Sequence, residues 1–127
     1  MKEAKLFTPQ EAQQTLPLVK KIVADILEFG QKIRTLSAEV GANAEKNPEI
    51  IKIIDQLDEL FDEMESLGCY YKDWNFSVGL VDFPAVIDGE EAFLCWRSDE
   101  EGLKYYHDVD SGYTGRKPIP AELLLGG

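Results

Sequence analysis

His107 is the only histidine in the chain, so any imidazole chemistry must use it. Near neutral pH an imidazole can act as a general base or bind a metal ion. Combined with Asp82, Cys95 and Asp110, it offers mixed ligands to zinc or another divalent ion. The expected metal ligands are His107, Asp110 and Asp82. The alternative is a histidine hydrogen-bonded at the end of a strand, and the absence of a CxxC or HxxxH motif favours it.

Cys95 has the position of a nucleophile, because Arg97 follows two residues later and could lower the pKa of the thiol. Asp82 would act in the opposite direction if it lay beside the thiol. Cysteine is also a frequent small core residue, and packing is the simpler interpretation. Asp82 and Arg97 are then expected to form an ion pair, with Arg116 as the alternative cation.

The segment 111–117 contains Gly112 and Gly115 and ends on Arg116 and Lys117, so it could hold an anion. It lacks the GxxxxGK[ST] spacing of a phosphate-binding loop, and no helical pattern follows it. The alternative is a turn whose glycines adopt positive φ while Arg116 pairs with an acid.

Two helices precede these residues. Thr8 and Pro9 are typical of a helix start, Asn47-Pro48 indicates a second one, and Gly68 ends it. Pro17 predicts a kink or a separate first turn. The connection is short, which indicates an antiparallel hairpin. The expected apolar stripes are Val19, Ile22, Ile26, Phe29, Ile33, Leu36 and Val40 on the first helix, and Ile50, Ile53, Ile54, Leu57, Leu60, Phe61, Met64 and Leu67 on the second.

A tight turn at Asp88-Gly89 predicts a β-hairpin, since both residues tolerate positive φ. Side chains alternate along strands, so this turn sorts the residues onto two faces. The apolar face pairs Ile87 with Glu90, Ala85 with Ala92, Phe83 with Leu94, and Val81 with Trp96, and it is expected to lie on the helices. The mixed face pairs Leu80 with Arg97, Asp82 with Cys95, Pro84 with Phe93, and Val86 with Glu91.

A third run begins at Leu103, and Tyr105 and His107 join the mixed face if Leu103 lies opposite Arg97. Cys69-Tyr70-Tyr71 is a candidate edge strand. The candidate functional face is therefore Asp82, Cys95, Arg97, Tyr105, His107, Asp110, Gly112, Gly115 and Arg116.

The expected fold is α+β, a long antiparallel two-helix hairpin packed on a three- to four-stranded antiparallel sheet. The 127 residues are enough for one domain. We expect the hairpin within 1–68, a β-meander within 69–110, and turns and loops in the tail, 111–127.

The formal net charge of -11 argues against binding nucleic acid or anionic membranes. No apolar run approaches the roughly 20 residues of a membrane-spanning helix, and the N-terminus lacks the apolar core of a signal peptide. Two cysteines make no disulfide framework. The expected location is the cytoplasm, with reduced thiols.

Four segments in this order resemble a prokaryotic family of uncharacterised proteins, domain of unknown function 2203. They are FTPQEAQQTLP, GLVDFPA, FLCWR and HDVDSGYTGR followed by Pro118. The resemblance covers nearly the whole chain and implies a two-helix hairpin joined to a small antiparallel sheet. It implies no activity. The polar positions that recur in the family are matched by Asp82, Cys95, Trp96, Arg97, His107, Gly112, Gly115 and Arg116.

Two functional hypotheses remain, of which the sequence favours the first. The first is a non-catalytic binding or assembly protein that forms a homodimer, because the wide stripe and the mixed face expose more apolar surface than a small fold covers easily. The second is a metal-dependent, hydrolase-like enzyme with His107, Asp110 and Asp82 as ligands, in which Arg97 or Arg116 holds an anionic group. The sequence identifies neither a substrate nor another small-molecule ligand.

Overall fold

The computed structural model describes residues 5–72 and 78–125. The fold is α+β, and its sheet has five antiparallel strands in chain order, β1-β2-β3-β4-β5. The helices are α1 (Pro9–Val40), α2 (Pro48–Ser66) and α3 (Ala121–Leu125), with 3-10 turns at Gly41–Lys46 and Tyr113–Gly115. The strands are β1 (Tyr70–Tyr71), β2 (Leu80–Ile87), β3 (Glu90–Arg97), β4 (Tyr105–Asp108) and β5 (Lys117–Pro118).

Helix α1 begins with the capping box that the sequence predicts. The Glu11 amide donates to Thr8 Oγ1 at 3.1 Å, and the Thr8 amide donates to Glu11 Oε1 at 2.9 Å. The helix runs without a break through Pro17, so the alternative of a separate first turn is wrong. Leu16 and Val19 on either side of the proline are buried, and this packing holds the helix across the lost hydrogen bond.

Helix α2 is capped by Asn47, whose side-chain oxygen accepts from the amides of Glu49 and Ile50. Its buried stripe is narrower than predicted, because Ile54 is 42% exposed. The C-terminal part of α1 and the N-terminal part of α2 line one groove, the arrangement expected of an antiparallel hairpin. The buried residues of α2 are Ile50, Ile53, Leu57 and Met64.

The register of the central hairpin is the one predicted. Asp88 and Gly89 have φ angles of 52° and 82°, which suit a two-residue reversal, and all eight predicted pairs of β2 and β3 are present. Strand β4 places Tyr105 opposite Cys95 and His107 opposite Phe93, as predicted. The expected edge strand is present as β1.

The tail differs from the prediction. Instead of turns and loops alone it contains β5 and α3, and β5 raises the strand number above the three to four expected. Strand β5 has only two residues, so periodicity cannot reveal it, and Pro118 is tolerated because the strand lies at the sheet edge. The next residue, Ile119, is buried, and its amide donates to the carbonyl oxygen of Lys104 at 2.8 Å.

One apolar core joins the sheet to the helices. It contains the predicted apolar residues of β2 and β3 together with the buried face of α1 and part of α2. Within the described ranges, no helix is both long and apolar enough to cross a bilayer. Because the helices cover the apolar face, the mixed face lies on the opposite side of the sheet. The core residues of β2 and β3 are Val81, Phe83, Ala85, Ile87, Ala92, Leu94 and Trp96.

Candidate metal centre

Three buried side chains that can bind metal meet on the mixed face. Asp82, Cys95 and His107 come from β2, β3 and β4, and one potential ligand atom of each lies within 4.8 Å of the other two. Asp82 and Cys95 are direct cross-strand partners, and His107 pairs with Phe93, two residues from Cys95 along β3 and on the same face. The pairing of the three strands therefore positions the whole cluster.

The hydrogen bonds of His107 determine the direction of its ring. Nδ1 lies 2.8 Å from the carbonyl oxygen of Asp108, which can only accept, so Nδ1 carries a proton and donates it. Nε2 lies 3.2 Å from Oδ1 of Asp82. Two lone pairs cannot share a hydrogen bond, so either a proton or a cation must lie between these two atoms.

Cys95 is a neutral thiol near pH 7. Burial, the largest cause, and the negative charge of Asp82 together raise its pKa to about 11, although Arg116 opposes both effects. The nearby cation is therefore Arg116, whose Nη1 lies 3.9 Å from Cys95 Sγ, and not Arg97 as predicted from sequence. In the absence of a metal, this environment makes Cys95 a poor nucleophile.

Arg116 is held by a carboxylate and two aromatic rings. Nη1 donates to Oε1 of Glu100 at 3.2 Å, and Nη2 donates to Oε2 of the same carboxylate. The guanidinium lies 4.1 Å from the ring centre of Tyr105 and 4.7 Å from that of Tyr113. This arrangement fixes Arg116 beside the thiol.

The predicted ion pair between Asp82 and Arg97 is wrong, as is its alternative with Arg116, since Asp82 pairs with His107. Arg97 Nε lies 3.1 Å from Asp99, and Nη1 donates to the Tyr113 hydroxyl at 2.7 Å. Arg97 is the last residue of β3, so its long side chain reaches the acids of the following loop more easily than the middle of the sheet.

A cavity of about 460 Å³ opens onto the three clustered side chains. Asp110 is exposed and lines this cavity, but it is not a member of the cluster, in which Cys95 takes the place expected for it. Asp110 lies beyond the end of β4, where strand alternation no longer predicts direction. The other lining residues are Lys72, Leu80, Phe93, Val109, Ser111, Gly112 and Tyr113.

The segment 111–117 follows the alternative interpretation in part: Arg116 pairs with an acid and Gly112 has positive φ, but Gly115 does not. Gly112 has φ 66°, and a Cβ at Gly115 would overlap the side chain of Ser111, so both positions require glycine. Arg116 pairs with Glu100, and Lys117 Nζ lies 3.5 Å from Asp108. These two cations are therefore engaged within the chain.

Sequence reasoning missed Glu100 and Tyr113. Both contact the candidate residues only because the loop after β3 and the turn after β4 fold toward each other. A glutamate in the polar loop 98–102 carries no spacing signal that would have revealed this role.

The family described as "Uncharacterized conserved protein (DUF2203)" matches residues 5–119. The chain belongs to this family. The match includes the three clustered side chains and Arg116, so the centre lies within the part of the chain that defines DUF2203 membership. The resemblance stated from the four segments is thereby confirmed. No curated protein and no solved structure matches the chain, and the DUF2203 description assigns no activity.

Proposed function

We propose that this protein binds one divalent transition-metal ion, zinc in the first place, through Asp82, Cys95 and His107. The observation that carries the proposal is the convergence of three buried donor groups, with His107 Nε2 directed at the carboxylate. Its Nδ1 donates to a backbone carbonyl, an arrangement that commonly orients metal-binding histidines.

The charge balance supports this proposal. A divalent ion with one thiolate, one carboxylate and one neutral imidazole is electrically neutral, which a buried site requires. The mixture of nitrogen, oxygen and sulfur suits zinc, whereas magnesium and calcium prefer oxygen ligands alone.

Cobalt(II) offers the sharpest test, because a thiolate bound to cobalt gives a charge-transfer absorption band. Apo-protein is titrated with Co²⁺ and then with Zn²⁺. We expect one equivalent of cobalt to produce the band and zinc to remove it. Cys95→Ser should abolish the band. The matched control Cys69→Ser should retain it, because Cys69 is equally buried but lies outside the cluster.

Two results would overturn the proposal. One is the absence of stoichiometric zinc or cobalt binding by correctly folded protein. The other is a charge-transfer band that survives in Cys95→Ser. Far-ultraviolet circular dichroism of each variant separates loss of metal from loss of fold.

Hydrolysis is the reaction class that such a centre would serve best. Catalytic zinc sites use three protein ligands and leave a further position for water or substrate. Asp82, Cys95 and His107 would provide the three protein ligands, and the adjacent cavity would provide room for water or substrate.

We propose as a second candidate that two copies associate through α2. Ile51 and Ile54, one turn apart, are 45% and 42% exposed, although isoleucine gains from burial. Light scattering of the wild-type protein should give a dimer mass, and the double variant Ile51→Glu, Ile54→Glu should give a monomer mass. Lys52→Glu is the charge control. A monomeric wild type at micromolar concentration would refute this assembly.

A further inference from the structure

We infer that the metal keeps one coordination position open toward the cavity, and that the cavity binds a small monocarboxylate with an apolar body. This inference rests on the proposed metal site and adds its ligand class. It is carried by the placement of the three donors on one face of the sheet and by the residues that line the cavity above them.

The donors leave one side of the metal free. Asp82, Cys95 and His107 project from three neighbouring strands, so all three approach a metal from the side of the sheet. Zinc commonly takes a fourth ligand. The remaining direction points away from the strands, and the 460 Å³ cavity borders the same three residues.

The lining of the cavity favours a ligand with an apolar body. Leu80, Phe93, Val109 and Tyr113 lie on its walls, and the Phe93 ring centre is 5.6 Å from that of His107. A ring or short aliphatic group attached to a metal-bound head would contact these side chains. The volume lies within the usual range for small-molecule sites.

The charges favour a single negative group. Lys72 lines the cavity and supplies an ammonium group, while the metal attracts the same anion. Asp110 lines the cavity as well and repels a second negative charge. Arg97 and Arg116 are engaged by Asp99 and Glu100, so neither is available for a dianion. A monocarboxylate satisfies these conditions better than phosphate.

The test uses the cobalt-loaded protein with three probes: sodium benzoate, sodium acetate and inorganic phosphate. We expect benzoate to change the visible spectrum of the bound cobalt saturably. Its dissociation constant should be lower than that of acetate by about tenfold, because the ring buries apolar surface. Phosphate should bind more weakly than benzoate.

Two pairs of variants locate the probe. Val109→Trp should fill the cavity and abolish the benzoate response, whereas Val86→Trp should not, because Val86 is an exposed valine of the mixed face outside the cavity. Lys72→Met should weaken benzoate binding roughly two- to fivefold, as expected for an exposed charge pair. Lys104→Met, at another exposed lysine, should leave it unchanged.

The outcomes separate the two proposals. If no metal binds, both fail. If cobalt binds with its thiolate band but benzoate leaves the spectrum unchanged, the metal site stands and the open position is refuted. Tighter binding of phosphate than of benzoate, or a benzoate response that survives in Val109→Trp, would refute the ligand class or its placement.

Discussion

Nε2 of His107 lies 3.2 Å from Oδ1 of Asp82, and both side chains are buried. The other ring nitrogen, Nδ1, already donates to the Asp108 carbonyl, so Nε2 and the Asp82 carboxylate must share either a proton or a cation. A structural pair and a metal site use the same geometry, and substitutions at Asp82 distinguish them.

Asp82→Asn should keep the fold and lose the metal. The new amide can donate to Nε2 of a neutral imidazole, so the free energy of unfolding of apo-protein should fall by no more than about 1 kcal/mol. Zinc affinity should fall at least about tenfold, because a carboxylate ligand is lost. Denaturant unfolding and zinc titration measure the two quantities.

Asp82→Leu is the comparison, since it leaves the buried Nε2 without a partner. It should cost about 1–3 kcal/mol of stability in the apo-protein. Equal stability losses in the asparagine and leucine variants would contradict the role assigned to the hydrogen bond.

Metal uptake should release protons. Cys95 has a pKa raised to about 11 and must lose its proton to bind. We expect about one proton from this thiol per zinc near neutral pH, so affinity should rise with pH. Calorimetry in buffers of different ionisation enthalpy measures the number. Release of no protons would contradict the ligand set.

The buried thiol also predicts an alkaline loss of stability in apo-protein. The pKa of a cysteine thiol is ordinarily 9.0, and that of Cys95 is raised to about 11 in the fold. At a pH between these two values, Cys95 is deprotonated in the unfolded chain but protonated in the folded protein. The unfolded state then binds fewer protons, so stability falls as pH rises through this window. The wild type should therefore lose more stability than Cys95→Ala as the pH rises through this window. Denaturant unfolding at each pH gives the difference between the two free energies of unfolding, which should decrease. A constant difference would contradict the raised pKa.

Arg116→Met should destabilise the protein more than Arg97→Met. The side chains of Arg116 and Glu100 are 12% and 17% exposed, so removing the guanidinium leaves a poorly solvated carboxylate and should cost roughly 1–3 kcal/mol. Arg97 and Asp99 are 37% and 60% exposed, so solvent screens that pair and its loss should cost less than the loss of the Arg116 pair. Urea unfolding of both variants makes the comparison, and the reverse order would contradict it.

Gly79→Ala should disturb the core, because a Cβ there would overlap Cγ1 of Val23 on α1. We expect a loss of about 1–3 kcal/mol by denaturant unfolding. Adding Val23→Ala should relieve the overlap, so that the double variant loses less than the sum of the singles. Gly102→Ala is the control, since among the described residues only Gln13 comes within 4 Å of a Cβ there, at 3.7 Å. Additive effects would rule out a direct clash.

The sequence predicted most of the sheet because one local signal determines its register. Once Asp88-Gly89 forms the turn, the alternation of side chains along each strand assigns every residue of β2 and β3 to one face of the sheet. This assignment correctly predicted that Asp82 lies opposite Cys95. The same logic placed His107. It could not reveal β5, whose two residues are too few to show a period.

Alternation also fails for residues at strand ends and in loops. Asp110 follows the end of β4, so its expected place among the ligands depended on a loop conformation that no sequence pattern specifies. Arg97 ends β3 and pairs with the acid that follows it. A long side chain at the end of a strand can contact any group within its length, so the strand pattern does not predict its partner. For the same reason the sequence did not identify Glu100, a loop residue, as the partner of Arg116.

Because the strands of the sheet follow one another in chain order, all three donors lie between residues 82 and 107. Closing the two short loops that join β2, β3 and β4 costs little chain entropy. We therefore expect these strands to pair early in folding, before β5 joins the edge. A metal ion present at that stage could bind to the three ligands as soon as β2, β3 and β4 have paired. Its binding would then stabilise this intermediate and favour the folding of the rest of the chain.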